Sequence, residues 1–309
     1  MGKGRFKDKL WIGYCIILII YTIASWIGAT LYVHIGGVLW LRLLVADAAA
    51  TLIIWIASYI FQNASVYDPY WSVQPMIILT LLMVQRSRYD AGTILIYSII
   101  MFWGIRLTAN WAYTFQGLGR QDWRYDQIKD RTGWLYPIVN LLGIQLMPTF
   151  IVYLCILPMV YYMELQSTFH TASLTGLTVS ATGAILQMIA DIQLHAFRKR
   201  TADRSKIIRS GLWMHSRHPN YLGEILMWWG VFLTMFPVHS DLWFLSLGAI
   251  LNTLLFLLIS IPMAEKHLAG YKAGYIEYKK ETRMLLPFPR KTQYGFLAIK
   301  RRADRIKND

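Results

Sequence analysis

The sequence predicts an all-α fold: a polytopic transmembrane helical bundle of about seven or eight membrane helices, with both termini in the cytoplasm. Three observations support it. Apolar residues make up 56% of the 309 residues and charged residues only 16%. Several apolar runs approach the roughly 20 residues that cross a bilayer as a helix. The cations, which give a net charge of +14, cluster between these runs and at both ends of the chain.

The apolar runs define eight candidate spans. The third is short, so it either extends back to Trp71 or is partly buried in protein, and the fifth is long, with a break expected near Pro148. In chain order the spans are Leu10–Val33, Gly37–Phe61, Pro75–Val84, Ala91–Trp111, Leu135–Met163, Thr171–Ala196, Tyr221–Pro237 and Leu242–Ala264.

The chain is predicted to form one integral membrane domain over residues 1–309. It comprises a basic end (1–9), the membrane bundle (10–264), a cytoplasmic helix and cap (265–290) and a basic tail (291–309). With eight spans, the cations of the amino end, of the segment after the sixth span and of the tail share one side, which the positive-inside rule makes cytoplasmic. Membrane-flanking cations indicate lipid head groups, not nucleic acid, as partners.

The tail is too polar to span a membrane, but its first part, Glu265 to Leu285, has helical spacing. One face of that helix would carry His267, Tyr271 and, less closely, Tyr275 and Tyr278. The prolines at 287 and 289 would end it.

A polar stripe ends the sixth span. Gln187, Asp191, His195 and Arg198 follow at steps of four, four and three, so they project from one helix face. Two interpretations are open: a polar seam satisfied between helices, or a cofactor or substrate pocket near the cytoplasmic surface. The basic loop that follows immediately favours the pocket.

Residues 211–224 combine polar groups at the start of the next membrane helix. Pro219 suits a helix start and Asn220 a cap, and Glu224 lies one turn further along the same face. A helix amino terminus attracts anions, and Arg217 and His218 directly precede it. A lipid head-group anchor explains the cation but not a carboxylate one turn into the membrane.

No metal site is predicted. A zinc site from His215 and His218 has loose spacing and no evident partner cluster. Cys15 and Cys155 lie in apolar runs and exclude a Cys-rich site or a disulfide framework.

The amino half offers a second polar group. Tyr67, Asp68 and Trp71 lie in the segment between two spans, and Arg106 and Asn110 lie one turn apart near the end of the fourth span. An interfacial aromatic belt with a turn explains the first segment equally well.

Several segments resemble the steroid 5-alpha-reductase superfamily. Residues 216–224 (Ser-Arg-His-Pro-Asn-Tyr-Leu-Gly-Glu), preceded by Gly-Leu-Trp at 211–213, are similar to its carboxy-terminal signature. The tail, with Glu-Lys-His-Leu at 265–268 and Tyr-Ile-Glu-Tyr at 275–278, resembles the ending of the same superfamily. Residues 68–71 and 122–125 are similar to its bacterial-type branch. The resemblance implies a membrane reductase that takes NADPH from the cytoplasmic side. Such enzymes reduce a carbon–carbon double bond conjugated to a ketone in a steroid or similar lipid.

The resemblance also implies roles for individual residues. Glu224 matches a family carboxylate and Arg106 an arginine near substrate and nicotinamide. Positions that match cofactor contacts are Asp191, Arg198, Asn220, His267 and Tyr271, and those that match cofactor-lining residues are Trp213, Arg217 and Tyr221. His195, Arg209 and His218 join them as candidate cofactor contacts because of their place in the stripe, the basic loop and the signature. Candidate substrate contacts are Trp71, Trp103 and Asn110.

Two departures put a steroid substrate in question. Trp103 stands where the family has a tyrosine, and an indole cannot act as a phenolic acid. No glutamate stands at the family's substrate-binding position, although Tyr67 and Asp68 fall close by. The mechanistic hypothesis is hydride transfer from NADPH to the β carbon of an enone. Tyr67 polarises the carbonyl, and Asp68 either orients Tyr67 or, if protonated, donates itself. Arg198, Arg209 and Arg217 hold the phosphates.

Two alternatives remain. Membrane methyltransferases of the isoprenylcysteine and phospholipid type share an Arg-His-Pro-x-Tyr-x-Gly element and use S-adenosylmethionine. Asn220 together with Glu224, and the lone acid Glu265 where those enzymes tend to carry two, favour the reductases. The third hypothesis is a lipid-binding or scaffold protein with a decayed site, which Trp103 supports.

Overall fold

The computed structural model describes residues 9–287 and contains no β-strand within that range, which confirms the all-α prediction. Thirteen α-helices occur in it. They are α1 (Leu10–His34), α2 (Leu39–Phe61), α3 (Tyr70–Gln85), α4 (Ala91–Thr114), α5 (Trp123–Thr132), α6 (Tyr136–Val139), α7 (Met147–Glu164), α8 (Ser173–Arg200), α9 (Leu212–His215), α10 (Pro219–Met235), α11 (Leu247–Leu255), α12 (Ile261–Tyr271) and α13 (Tyr275–Glu281). Short 3-10 or π segments join some of them.

Each of the eight predicted spans corresponds to helical structure. Six helical stretches are long and apolar enough to cross a membrane: α1, α2, α4, α8, the stretch Trp123–Glu164 and the stretch Ser240–Tyr271. The two others, α3 and α10, have 16 and 17 residues. The prediction of an integral membrane bundle is confirmed, while the number of crossings and the side of each terminus stay predictions.

The helix does not break at Pro148. Residues from Trp123 to Glu164 form one helical stretch, and a π-helical segment, Asn140–Leu146, directly precedes Met147 and Pro148. The same arrangement recurs where the π segment Phe256–Ser260 precedes Pro262. A proline ring clashes with the carbonyl four residues earlier and supplies no N–H, and a wider turn accommodates both defects without ending the helix.

The described residues divide into two compact units. Of the described residues, the first comprises 9–178 and 228–252, and the second 179–227 and 253–287. In the first, α1 and α2 pack closely, because a Cβ on Gly28 would lie only 3.1 Å from the carbonyl oxygen of Ala46. Buried Tyr21, Ile54 and Tyr70 belong to its core.

In the second unit α8 and α10 are in backbone contact. A Cβ on Gly183 would lie 2.5 Å from the amide nitrogen of Met227 and 2.6 Å from the carbonyl oxygen of Gly223. Only glycine permits this approach, which lets short polar side chains on the two helices reach each other.

Two local predictions were wrong. Asn220 is the second residue of α10, not its cap, although Pro219 opens that helix as expected. The single helix expected from Glu265 is α12 followed by α13, because Gly274 has a φ of 72° and interrupts it. The basic segments 1–8 and 291–309 lie outside the described residues, and the prediction of one membrane domain stays a prediction.

Candidate functional site

Two polar pairs join α8 to α10 in the second unit. Nε2 of Gln187 donates to Oε2 of Glu224 at 2.8 Å, and Nδ2 of Asn220 contacts Oδ1 of Asp191 at 3.4 Å. The pairs match because each helix places its polar residues four positions apart. Glu224 is buried, whereas Asp191 and Asn220 are half-buried. The predicted stripe is therefore buried and paired across the helices at Gln187, although Oε1 of Gln187 has no hydrogen-bond partner, and it is more accessible at its outer end, toward Asp191 and Arg198.

Cations gather at the outer end of the stripe. Burial, and then the charges of Arg198 and Arg204, lower the pKa of Lys272, which follows α12. Arg198 also interacts electrostatically with Asp191 and with Tyr271. Like charges that interact in this way disfavour one another, so the arrangement favours a bound anion. His195 interacts with Asp191 and Arg198 and belongs to the same group.

Two sets of aromatic rings occur in the same unit. His218 and Tyr221 stack with centroids 5.2 Å apart and an interplanar angle of 6°, and Tyr221 contacts Phe256 at 4.8 Å. His267 meets Tyr271 edge-on at 5.2 Å. Tyr271 is exposed, and Nζ of Lys272 lies 5.5 Å from the centre of its ring.

Arg217 does not face this cation group as a free phosphate ligand. Its Nε donates to Oε1 of Glu265 at 2.8 Å, and its Nη1 donates to the carbonyl oxygens of Lys279 and Thr282. Glu265 also accepts from Nε2 of His218 at 3.3 Å and pairs with Nζ of Lys279 at 2.7 Å. Burial lowers the pKa of His218 even though the Glu265 carboxylate opposes the shift. This cluster of Arg217, His218, Glu265 and Lys279 ties the signature segment to α12 and α13.

Trp213 and Arg209 also make contacts within the second unit. Nε1 of Trp213 donates to the carbonyl oxygen of Ala190 at 3.0 Å, and its own carbonyl accepts from the hydroxyl of Tyr278 at 2.5 Å. Arg209 pairs with Glu281 at 2.8 Å on the surface. Neither contact was predictable from spacing along the chain.

In the first unit, Tyr67 is buried and its hydroxyl lies 2.9 Å from Oγ1 of Thr149. Burial holds the pKa of Tyr67 well above its usual value, so the phenol is protonated at neutral pH and able to donate. Asp68 accepts a hydrogen bond from the hydroxyl of Tyr125 instead of from Tyr67. Burial raises the pKa of Asp68 to about 6, although Arg124 and Tyr125 oppose the shift.

Trp103 is a core residue. Its ring packs edge-on against Trp228 at 4.9 Å and against Trp71 at 6.0 Å. It has no exposed surface. Arg106 and Asn110 are half-buried on the same helix, α4, one turn apart.

One buried acid was missed by the sequence reasoning. Asp47, on α2, accepts hydrogen bonds from the hydroxyl of Tyr70 at 2.8 Å and from Nε2 of Gln74 at 2.7 Å. A carboxyl inside an apolar run was the available signal, because intramembrane ionisable residues are usually functional. No group of three or more His, Cys, Asp or Glu side chains suited to a metal ion occurs between residues 9 and 287.

The chain resembles known proteins over different parts of its length. Residues 54–282 match the sequence model of DUF1295, described as a protein of unknown function. The 3-oxo-5-alpha-steroid 4-dehydrogenase 1 proteins of Rattus norvegicus and Mus musculus are each 28% identical over 119 residues, which is 38% of this chain.

Those alignments cover 42% of the rat protein and 43% of the mouse protein, so the chain spans less than half the length of the curated relatives it matches. No solved structure matches the chain. The resemblance to the steroid 5-alpha-reductase superfamily is confirmed by these similarities. Because the family model covers most of the sequence, the chain belongs to the DUF1295 family.

Proposed function

We propose that the protein is a membrane-embedded, NADPH-dependent reductase of a carbon–carbon double bond conjugated to a ketone in a steroid or other lipid. The observation that carries the proposal is the cation group of Arg198, Arg204 and Lys272, which lies beside the paired Asp191 and Asn220 in the second unit. The similarity to two proteins named 3-oxo-5-alpha-steroid 4-dehydrogenase 1 supports the same reaction class.

The second unit suits a phosphate-bearing cofactor. Guanidinium groups pair well with phosphate oxygens, and an ammonium group adds a further charge. Arg198 and Arg204 take this role in place of the expected Arg209 and Arg217, whose guanidinium groups bond to protein acceptors. Lys272 adds positive charge to this group, and its ammonium also donates to the carbonyl oxygen of Lys206. Asp191 and Asn220 offer a carboxylate and an amide to the hydroxyl and amide groups of the cofactor. His195, Trp213, His218, Tyr221, His267 and Tyr271 remain candidate contacts. Bound NADPH would supply the hydride.

The first unit supplies a candidate for polarising the carbonyl. Negative charge develops on the ketone oxygen during reduction, and a preorganised donor stabilises it. Tyr67 fits because its phenol is protonated and the contact between its hydroxyl and Oγ1 of Thr149 fixes the position of the ring. Arg106 adds positive charge on α4. Asp68 accepts a hydrogen bond from Tyr125 and so positions the segment between α2 and α3. Thr149, and not Asp68, is therefore the orienting partner of Tyr67.

Glu224 keeps a role inside the second unit. Its carboxylate accepts from Gln187, so it fixes the separation of α8 and α10 next to Asp191 and Asn220. We assign Glu224 as a positioning residue for the cofactor group. Trp71, Trp103 and Asn110 remain candidate substrate contacts of the first unit.

Turnover tests this proposal. Purified protein in detergent, given NADPH and a panel of lipid enones, is expected to oxidise NADPH with at least one of them. Tyr67→Phe is expected to lower kcat about 100-fold or more, as loss of one oxyanion donor does in other enzymes. Tyr97→Phe is the matched control, because it removes a hydroxyl that lies 2.8 Å from Oγ1 of Thr80. Absence of NADPH oxidation with every enone, or equal effects of the two variants, would overturn the proposal.

A further inference from the structure

A small pocket with a polar side lies within the first unit, and neither Arg106 nor Trp103 lines it. It has a volume of about 60 Å³, and Asp47, Tyr70 and Gln74 form its polar side. All three side chains are at least 96% buried. Between residues 9 and 287 no ion pair to Asp47 occurs, so the carboxyl depends on the two neutral donors, Tyr70 and Gln74.

Gln74 leaves one acceptor unused in this pocket. Its Nε2 donates to Oδ2 of Asp47, whereas its buried Oε1 has no hydrogen-bond partner. Buried polar atoms are nearly always paired, and each exception needs a reason such as a ligand or a water. The unpaired oxygen belongs to a side chain that lines the pocket, so a donor that reaches it there would satisfy it.

An apolar groove adjoins the pocket. It has a volume of about 890 Å³ and shares four lining residues with the pocket, Ala29, Tyr32, Ile77 and Leu81. Its walls come from α1, α3 and α4 and are almost entirely hydrocarbon. That volume is within the range of ligand-binding cavities, and an apolar cavity with a few polar groups at one end fits an amphipathic molecule.

We propose that the groove and pocket bind an amphipathic lipid with a hydroxyl group, whose chain fills the groove and whose hydroxyl donates to Oε1 of Gln74. A ketone lacks a donor and cannot satisfy this oxygen. The site thus selects an alcohol, the opposite preference to that of Tyr67, which donates. Binding of the alcohol requires neither NADPH nor turnover, so it can be tested independently of the proposed reductase activity.

The test compares three lipids that differ at one end. Octadecanol, octadecyl methyl ether and octadecylamine are titrated, as mole fractions of detergent, into protein free of nucleotide, and bound lipid is measured by native mass spectrometry. We expect wild-type protein to bind the alcohol about three- to tenfold more tightly than the ether, the range expected for one hydrogen bond.

Two glutamine variants on α3 locate the effect. Gln74→Met is expected to abolish the preference for the alcohol. Gln85→Met is expected to keep it, because Gln85 lines the groove but its Oε1 already accepts from the hydroxyl of Tyr32 at 2.7 Å. If Gln74→Met does not fold, the comparison of alcohol with ether in wild-type protein still tests whether the site prefers a hydroxyl group.

Three results would overturn the inference. Equal binding of alcohol and ether to wild-type protein would show that only the hydrocarbon groove binds lipid or that a water satisfies Gln74. Equal preferences in the two variants would place the hydroxyl elsewhere. Binding of the amine more than tenfold tighter than the alcohol would mean that the Asp47 carboxylate, and not Gln74, selects the ligand.

Discussion

Glu265 is predicted to contribute far more to stability than other acids of the same region. Its side chain is 7% exposed and its two oxygens contact Arg217, His218 and Lys279. Glu265→Gln keeps the shape but removes the negative charge, which leaves the guanidinium of Arg217 buried without a counter-charge. Breaking one partner of a buried ion pair costs about 3–5 kcal/mol.

The assay is thermal unfolding of purified protein in detergent at neutral pH, followed by tryptophan fluorescence. A loss of this size corresponds to a fall in Tm of roughly 10 °C. Glu281→Gln is the matched control. Glu281 pairs with Arg209, and the two side chains are 51% and 44% exposed, so the same change is expected to cost less than about 1 kcal/mol.

Equal falls in Tm for the two variants would refute the reasoning, because they would show that burial of the Arg217 cluster adds nothing. Lys279→Met gives an intermediate check. The Lys279 side chain is 54% exposed, so its loss is expected to lower Tm much less than Glu265→Gln does.

Three further changes follow from packing and charge. Gly183→Val places a branched side chain against the backbone of Met227 and is expected to cost about 1–3 kcal/mol, seen as a lower Tm, whereas an unchanged Tm would contradict the close helix contact. Trp103→Ala is expected to cost about 3–5 kcal/mol, because it empties a fully buried ring site; a loss below about 1 kcal/mol would argue against that packing. Asp68 is expected to make stability depend on pH. Its pKa is raised from 3.8 to about 6, so its contribution is complete below pH 3.8 and is lost as pH rises through about 6. The loss is at most about 3 kcal/mol, and unfolding measured across this range should show it in wild-type protein but not in Asp68→Asn.

Hydrophobic runs were sufficient to predict the helices. Apolar stretches long enough to span a bilayer leave few alternatives to a helix, since backbone groups in lipid must be satisfied internally. Interruptions and distortions within the helices were harder to predict from the sequence. Pro148 predicted a break, but a π segment before it preserved the helix. The tyrosine spacing of the tail continued across Gly274, so periodicity alone did not reveal where α12 ends.

The candidate site was predictable where one helix sufficed. Asp191 and Gln187 lie on one face of α8, and Asn220 and Glu224 on one face of α10, and those faces do pair. Contacts between distant segments were not predictable. Arg217 had the motif position of a cofactor residue, yet its partner Glu265 is 48 positions away.

Asp47 illustrates the same limit. Its side-chain partners Tyr70 and Gln74 are on another helix, and Thr51, one turn further along α2, was only a weak signal for polar surroundings. A single acid in an apolar run marks a site but does not reveal its partners.

Cofactor choice tests the central claim most directly. Calorimetry on detergent-solubilised protein, with NADPH and S-adenosylmethionine titrated separately, is expected to show NADPH binding in roughly the micromolar range. Arg198→Gln is expected to weaken it at least about tenfold, because a charge-assisted contact to phosphate is lost, while Arg131→Gln on the exposed surface of α5 leaves it unchanged. Binding of S-adenosylmethionine in place of NADPH, or no binding of either, would contradict the reductase assignment.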